Sequence, residues 1–175
     1  LSAPQRSATN RSSVVITLPN QQGKFEKFEM YEASNFDSEL QAQFPDIRSY
    51  VGVGIDDKTA ILRLSLDPRG IQTMVFRADK KTEFIEPYSE DGSVVAVYMS
   101  NRSKGKLPFT CSTPEQDMAI DLSKNANTNR SSTGTLLNFR LALSCNGEYS
   151  NYFGATSSAQ VANVLAAFNA TMTRV

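Results

Sequence analysis

Between Val14 and Ser100, short runs of alternating apolar and polar residues are broken at intervals by turn-forming residues. A period of two is the mark of strands with one face buried. "VVITL" and "KFEKFEMYEA" flank "PNQQG", which predicts a hairpin with Gly23 at its close. "AILRLSL" and "IQTMVFRA" flank "DPRG", where Asp67, Pro68 and Gly70 suit the first, second and fourth places of a type I turn. "TEFIEPY" and "SVVAVYM" flank "SEDG", a third hairpin signal. Hairpins in succession predict an antiparallel sheet.

Helical spacing replaces the alternation twice. In "SNFDSELQAQFP", Phe36, Leu40 and Phe44 share one face, Ser34 or Asn35 can cap, and Pro45 prevents continuation. This helix is expected to cover one face of the sheet and close its core. In "SSAQVANVLAAFNATMTRV", Ser157 and Gln160 form a capping box. Val161, Val164, Leu165, Phe168, Met172 and Val175 then make an apolar stripe that needs a partner surface. No stop signal follows, so the stripe is expected to pack against something beyond Val175. "LLNFRLALSC" just ahead reads as a buried strand, and a buried strand followed by a helix opens an α/β layer.

These patterns predict an α+β chain in four parts. Residues 1–12 are a flexible, polar N-terminal tail, and residues 13–100 a mostly antiparallel β domain with one short helix. Residues 101–135 are rich in Ser, Thr, Asn, Pro and Lys and read as a connector with an embedded functional segment. Residues 136–175 are the first strand and helix of a second, α/β domain. No internal repeat is evident.

Composition narrows the function. Acidic and basic residues balance at 18 each, which gives no field for nucleic acid or an anionic membrane. The longest apolar run, "VANVLAAF", is too short to span a bilayer. The chain has no histidine, which excludes Ser-His-Asp and Cys-His catalysis and the common zinc sites within these residues. "GVGIDD" is no dinucleotide fingerprint, and its Asp56 and Asp57 read as solvated turn residues. No signal peptide is visible. Asn-x-Ser/Thr sequons begin at Asn10, Asn101, Asn129 and Asn169. Alone, this chain holds no catalytic constellation.

The stretch "NFRLALSCNGEYSNYFGATSSAQVANVLAAFNATMTRV" resembles the opening strand and first helix of the catalytic domain in secreted, reprolysin-like zinc metallopeptidases, its bacterial members above all. Upstream, "LPNQQGKFEKFEMYEASNFDSELQAQFPDIRSYVGVGIDDKTAILRLSLDPRGIQTMVF" is similar to the propeptide that precedes that domain. Together they cover most of the chain from Val14 onward, in the family's order. The resemblance implies a metzincin whose motif, His-Glu-x-x-His-x-x-Gly-x-x-His, would lie beyond Val175. The chain is then a secreted propeptide with a truncated start of the peptidase domain. Zinc belongs to the full-length protein, none is expected in this chain, and the partner is its own metallopeptidase domain. Reprolysins often carry an acidic calcium-binding residue early in the first strand. Arg140 stands in the matching region, so no calcium site is expected through that position.

A propeptide of this kind keeps the protease latent and assists its folding. Cys111, in the Pro-bounded segment "LPFTCSTPEQD", is the candidate switch ligand to the zinc of the absent catalytic part. Other readings stay open: Cys111 pairs with Cys145 in a disulfide, it is a plain thiol, or Asp117 or Asp121 blocks the metal instead. Ser112 stands where the better-known switch consensus has Gly. Activation requires a cut between Leu122 and Leu136, with Lys124 and Arg130 as candidate bonds. Cys145 reads as a small core residue, and the aromatics of "GEYSNYFG" as a turn packed under the sheet. The rival to the whole reading is a β-rich secreted binding or adhesion module with no protease attached.

Overall fold

The computed structural model describes residues 1–5, 12–89, 91–100 and 141–175. Strands β1 (Val15–Pro19), β2 (Phe25–Glu32), β3 (Arg48–Gly54), β4 (Ile61–Asp67), β5 (Gly70–Phe76), β6 (Glu83–Pro87) and β7 (Val95–Met99) pair in chain order. Every pairing is antiparallel, so the 7-stranded sheet is a meander. The three predicted hairpins are present as β1–β2, β4–β5 and β6–β7. Their turns are locally encoded. At the β4–β5 turn the Arg69 amide donates to Asp67 Oδ1 at 2.8 Å, and Gly70 adopts φ +130°, a conformation side chains disfavour.

One face of the sheet forms the core. Phe28 and Met30 of β2, Tyr50 of β3, Leu62 and Leu64 of β4, Val75 of β5 and Ile85 of β6 are buried there together. Strand pairing sets Met30 opposite Gly52 and Gly52 opposite Leu62. A Cβ on Gly52 would lie 2.8 Å from Met30 Sδ, so the missing side chain lets its neighbours on either side fill the layer. The sheet curls, which brings the β1–β2 turn to β6: the Gln21 amide donates to Glu83 Oε2 at 2.9 Å.

The opposite face is covered where β3, β4 and β5 run, and the cover comes from the C-terminal helix. Helix α1 (Ser38–Gln43), expected in that role, buries none of its residues. Phe36, Leu40 and Phe44 are half-buried, and Asp37 caps in place of Ser34 or Asn35, accepting from the Leu40 amide at 2.8 Å. Helix α2 (Gly147–Tyr152) is capped by Asn146, and α3 (Val161–Arg174) follows a 3-10 turn over Ser158–Gln160. The capping box is shifted: Gln160 Oε1 accepts from the Thr156 amide at 2.9 Å, while Ser157 makes no cap bond.

Other expectations also change. The described part of the expected strand, Leu141–Cys145, is exposed and forms no strand. A strand is stable only when a neighbour takes its backbone groups. Leu1–Gln5, part of the expected tail, is pinned instead. Tyr50 Oη donates to the Leu1 carbonyl at 2.6 Å, the Glu32 amide donates to the Pro4 carbonyl at 2.8 Å, and Ala3 joins the core. Residues 1–101 and 143–175 form one compact unit. Among the described residues, no helix is long and apolar enough to cross a membrane.

Candidate functional site

The seam between α3 and the sheet starts from small residues. Ser49 and Ser65 are cross-strand partners on β3 and β4, on the face away from the core, yet both are buried. On the helix, Ala166, Ala167 and Ala170 are buried as well. Serine opposite alanine lets helix and sheet approach closely. The large stripe residues Leu165, Phe168 and Met172 are only half-buried, and Val161 and Val175 are exposed. Of the expected stripe only Val164 is fully buried, and the helix's buried face is otherwise made of its alanines, Asn169 and Thr173.

Polar groups fix the register of this seam. Asn169 is 2 % exposed, and its Nδ2 donates to the Arg48 carbonyl at 3.0 Å. Asn35 Nδ2 lies 2.9 Å from both Asn169 Oδ1 and Thr173 Oγ1. The Asn35 amide donates to Ser49 Oγ at 3.2 Å, which continues the chain of bonds into β3. At the far end Arg174 pairs with Glu86 at 2.7 Å and lies over the Phe84 ring. Burial and the nearby Glu86 carboxylate raise the Tyr98 phenol above its usual range. Asn169, which begins one of the sequons, is thus part of the packed seam.

Two further features flank the seam. Tyr149 of α2 lies tilted against Phe153 and against Phe168 of α3, while Tyr152 is exposed, so Tyr149 packs on the helix and the aromatics of "GEYSNYFG" are not all under the sheet. Beside them a cleft of about 630 Å³ is lined by Leu143, Cys145, Tyr149, Phe168 and Met172. Cys145 is an exposed free thiol, not a core residue, with Sγ 3.2 Å from Ser150 Oγ. At the rim of the curled sheet, Arg77 is buried among Glu26, Glu83 and Asp57, with Glu83 at 3.5 Å and Asp57 at 3.6 Å. Hydrogen bonds from Thr59 hold the Asp57 carboxyl below its usual range, as suits a turn-building residue.

Cys111, Lys124, Arg130, Asp117, Asp121 and Arg140 lie outside the described residues, as do the sequons at Asn10, Asn101 and Asn129. Among the described residues no three His, Cys, Asp or Glu side chains converge to hold a metal, so none of them fits the implied zinc. The seam holds the chain's own helix on its sheet by shape and directed hydrogen bonds. The apolar stripe Val161, Val164, Leu165, Phe168, Met172 and Val175 does not include Asn169 or Thr173, so the seam was not legible from apolar spacing. The spacing of four between those two polar residues, one helical turn, was the available signal. Arg77 had no such signal, since its partners come from distant strands and turns. Compared with known proteins, the chain matches no family model, no curated protein and no solved structure.

Proposed function

We propose that this chain is the propeptide-bearing N-terminal part of a secreted reprolysin-like zinc metalloendopeptidase, keeping the protease latent and assisting its folding. The observation that carries the reading is the two-part resemblance, in order, with Cys111 between the parts. The seam supports it. The segment that resembles the first peptidase helix packs on the sheet that resembles the propeptide, as a folding assistant grips its client. In this reading Cys111 would hold the zinc of the catalytic part through its thiolate and so keep the metal from activating water. The tether keeps its local concentration high, and the activating cut falls between Leu122 and Leu136, at Lys124 or Arg130.

The test is the full-length zymogen, assayed for zinc and for proteolysis before and after limited cleavage, with Cys111→Ala alongside. Latency lost in the variant supports the switch; unchanged latency removes Cys111 from the mechanism. A reading frame that continues past Val175 without a His-bearing zinc motif ends the proposal altogether. One observation favours the rival, a β-rich secreted binding or adhesion module. Residues 143–175 pack on the outer face of the sheet within one compact unit, where the Ala-rich face of α3 is buried without a catalytic half.

A further inference from the structure

The contacts that hold α3 on the sheet are independent of the covalent path between them. Asn169 reaches the Arg48 carbonyl, Asn35 reaches Asn169 and Thr173, and Arg174 reaches Glu86. Each of these bonds joins a residue ahead of position 101 to one beyond 143. Beneath them, Ala166, Ala167 and Ala170 are buried on a face whose paired serines, Ser49 and Ser65, leave room for a close-packed helix.

We infer that the outer face of the sheet is a docking site for the segment 143–175, and that the two pieces remain bound after the chain between them is severed. Three physical points carry this. A helix of 14 residues is marginal in water, so α3 is helical because the sheet holds it. The bonds within the seam are directional, and those of Asn169 and Thr173 start from buried side chains, so they specify one register. The cation of Arg174 is paired to Glu86 and lies 5.5 Å from the centre of the Phe84 ring, which adds a contact at the last turn. The sheet's own core lies on its other face and does not include the helix.

Under the zymogen reading, a single cut in the linker would not free the peptidase half. The propeptide would stay seated on the first helix until a second event removed it. The docking site does not rest on that reading, because the seam is the same in a plain binding module.

The experiment uses the full chain with a site-specific protease sequence replacing residues 124–130. The protein is nicked under native conditions and examined by size-exclusion chromatography and native mass spectrometry at micromolar concentration. The expected result is one species containing both fragments, with α3 amides protected from hydrogen exchange as in the uncut protein. In the combined variant Asn169→Leu, Arg174→Ala, retention should weaken by about tenfold or more. Fragments that separate on nicking, or α3 amides that exchange freely in the nicked wild-type protein, would overturn the inference. So would retention unchanged in the combined variant, since the pieces would then be held elsewhere. The exchange measurement needs no variant, so it reads out even if the double substitution misfolds. A failed Cys111→Ala latency test would leave all these outcomes untouched.

Discussion

Asn35 and Asn169, far apart in the chain, face each other across the helix–sheet seam, with Asn35 Nδ2 2.9 Å from Asn169 Oδ1. Each is satisfied on other sides too, by Ser49 and Thr173 for Asn35 and by the Arg48 carbonyl for Asn169. Truncating Asn35 to Ala takes a bond from the buried Asn169 and Thr173, and truncating Asn169 removes a buried side chain with its bonds to Asn35 and the Arg48 carbonyl. The expected loss is about 1–3 kcal/mol for Asn169→Ala, where burial is near complete. Because the two act on one bond network, the double variant should lose less than the sum of the singles. Urea unfolding of the four proteins in the cycle measures the coupling, and strict additivity would mean that the pair does not act as a unit.

How much of this was legible in the sequence divides along local and non-local lines. The hairpins were legible because Asp67, Gly70 and Gly23 build their turns with their own immediate neighbours. The identity of the covering helix was not. Phe36, Leu40 and Phe44 have the stronger apolar pattern, but α1 buries nothing fully, whereas the Ala-rich face of α3 does. Periodicity weights large apolar side chains, while close helix–sheet packing selects small ones. Phe168 and Met172 therefore ended in the cleft beside Tyr149 instead of under the helix. The candidate switch and cleavage residues, Cys111, Lys124 and Arg130, lie outside the described residues and do not enter this comparison.

Glycines at two positions of β3 should respond differently to alanine. At Gly52 the nearest obstacle is the flexible end of Met30, with Leu62 Cβ at 3.1 Å, so some adjustment is available. At Gly54 a Cβ would run into the backbone carbonyl of Asp57, which is held in its turn by the Ala60 amide at 3.1 Å. Both substitutions overpack, at about 1–3 kcal/mol, and Gly54→Ala should be the worse of the two. Melting temperatures for the pair rank them; the reverse order would show that the β3–β4 turn yields more readily than the core.

Removing Arg77 should be among the most damaging surface-rim changes. Its side chain is 2 % exposed and that of Glu83 is 3 % exposed, so Arg77→Met leaves a buried carboxylate without its cation. Such a loss costs about 3–5 kcal/mol. Adding Glu83→Gln in the same molecule removes the stranded charge and should recover part of that loss. Denaturant midpoints of the single and double variants decide it, and no recovery would point to Glu26 or Asp57 as the dominant partner.

The β6–β7 turn predicts a pH signature. Hydrogen bonds from Ser89 and Ser93 hold the Asp91 carboxyl at about 2, against the ordinary 3.8. A folded-state value below the unfolded one means that the group stabilises the fold above pH 3.8, and that this contribution fades as pH falls towards about 2. Nuclear magnetic resonance titration of the Asp91 side chain should give the depressed value. In Asp91→Asn the part of the acid destabilisation between those two values that belongs to this turn should vanish. An unshifted titration would mean that the serine bonds are not formed in solution.

Thr73 sits on the core-facing side of β5, opposite Leu64 and Ile85, fully buried. Its hydroxyl has no hydrogen-bond partner. A threonine in such a place carries a desolvated polar atom where a methyl group would be at home. Thr73→Val keeps the branched shape and the strand preference while removing that atom. The expected change is a gain of about 1 kcal/mol, contrary to the usual direction of core substitutions. Thr73→Ser tests the same point from the other side, because it keeps the hydroxyl and opens a methyl-sized void, and it should destabilise. Equilibrium unfolding of both variants against the parent separates the two effects. A loss on Thr73→Val would show that the hydroxyl is satisfied in solution.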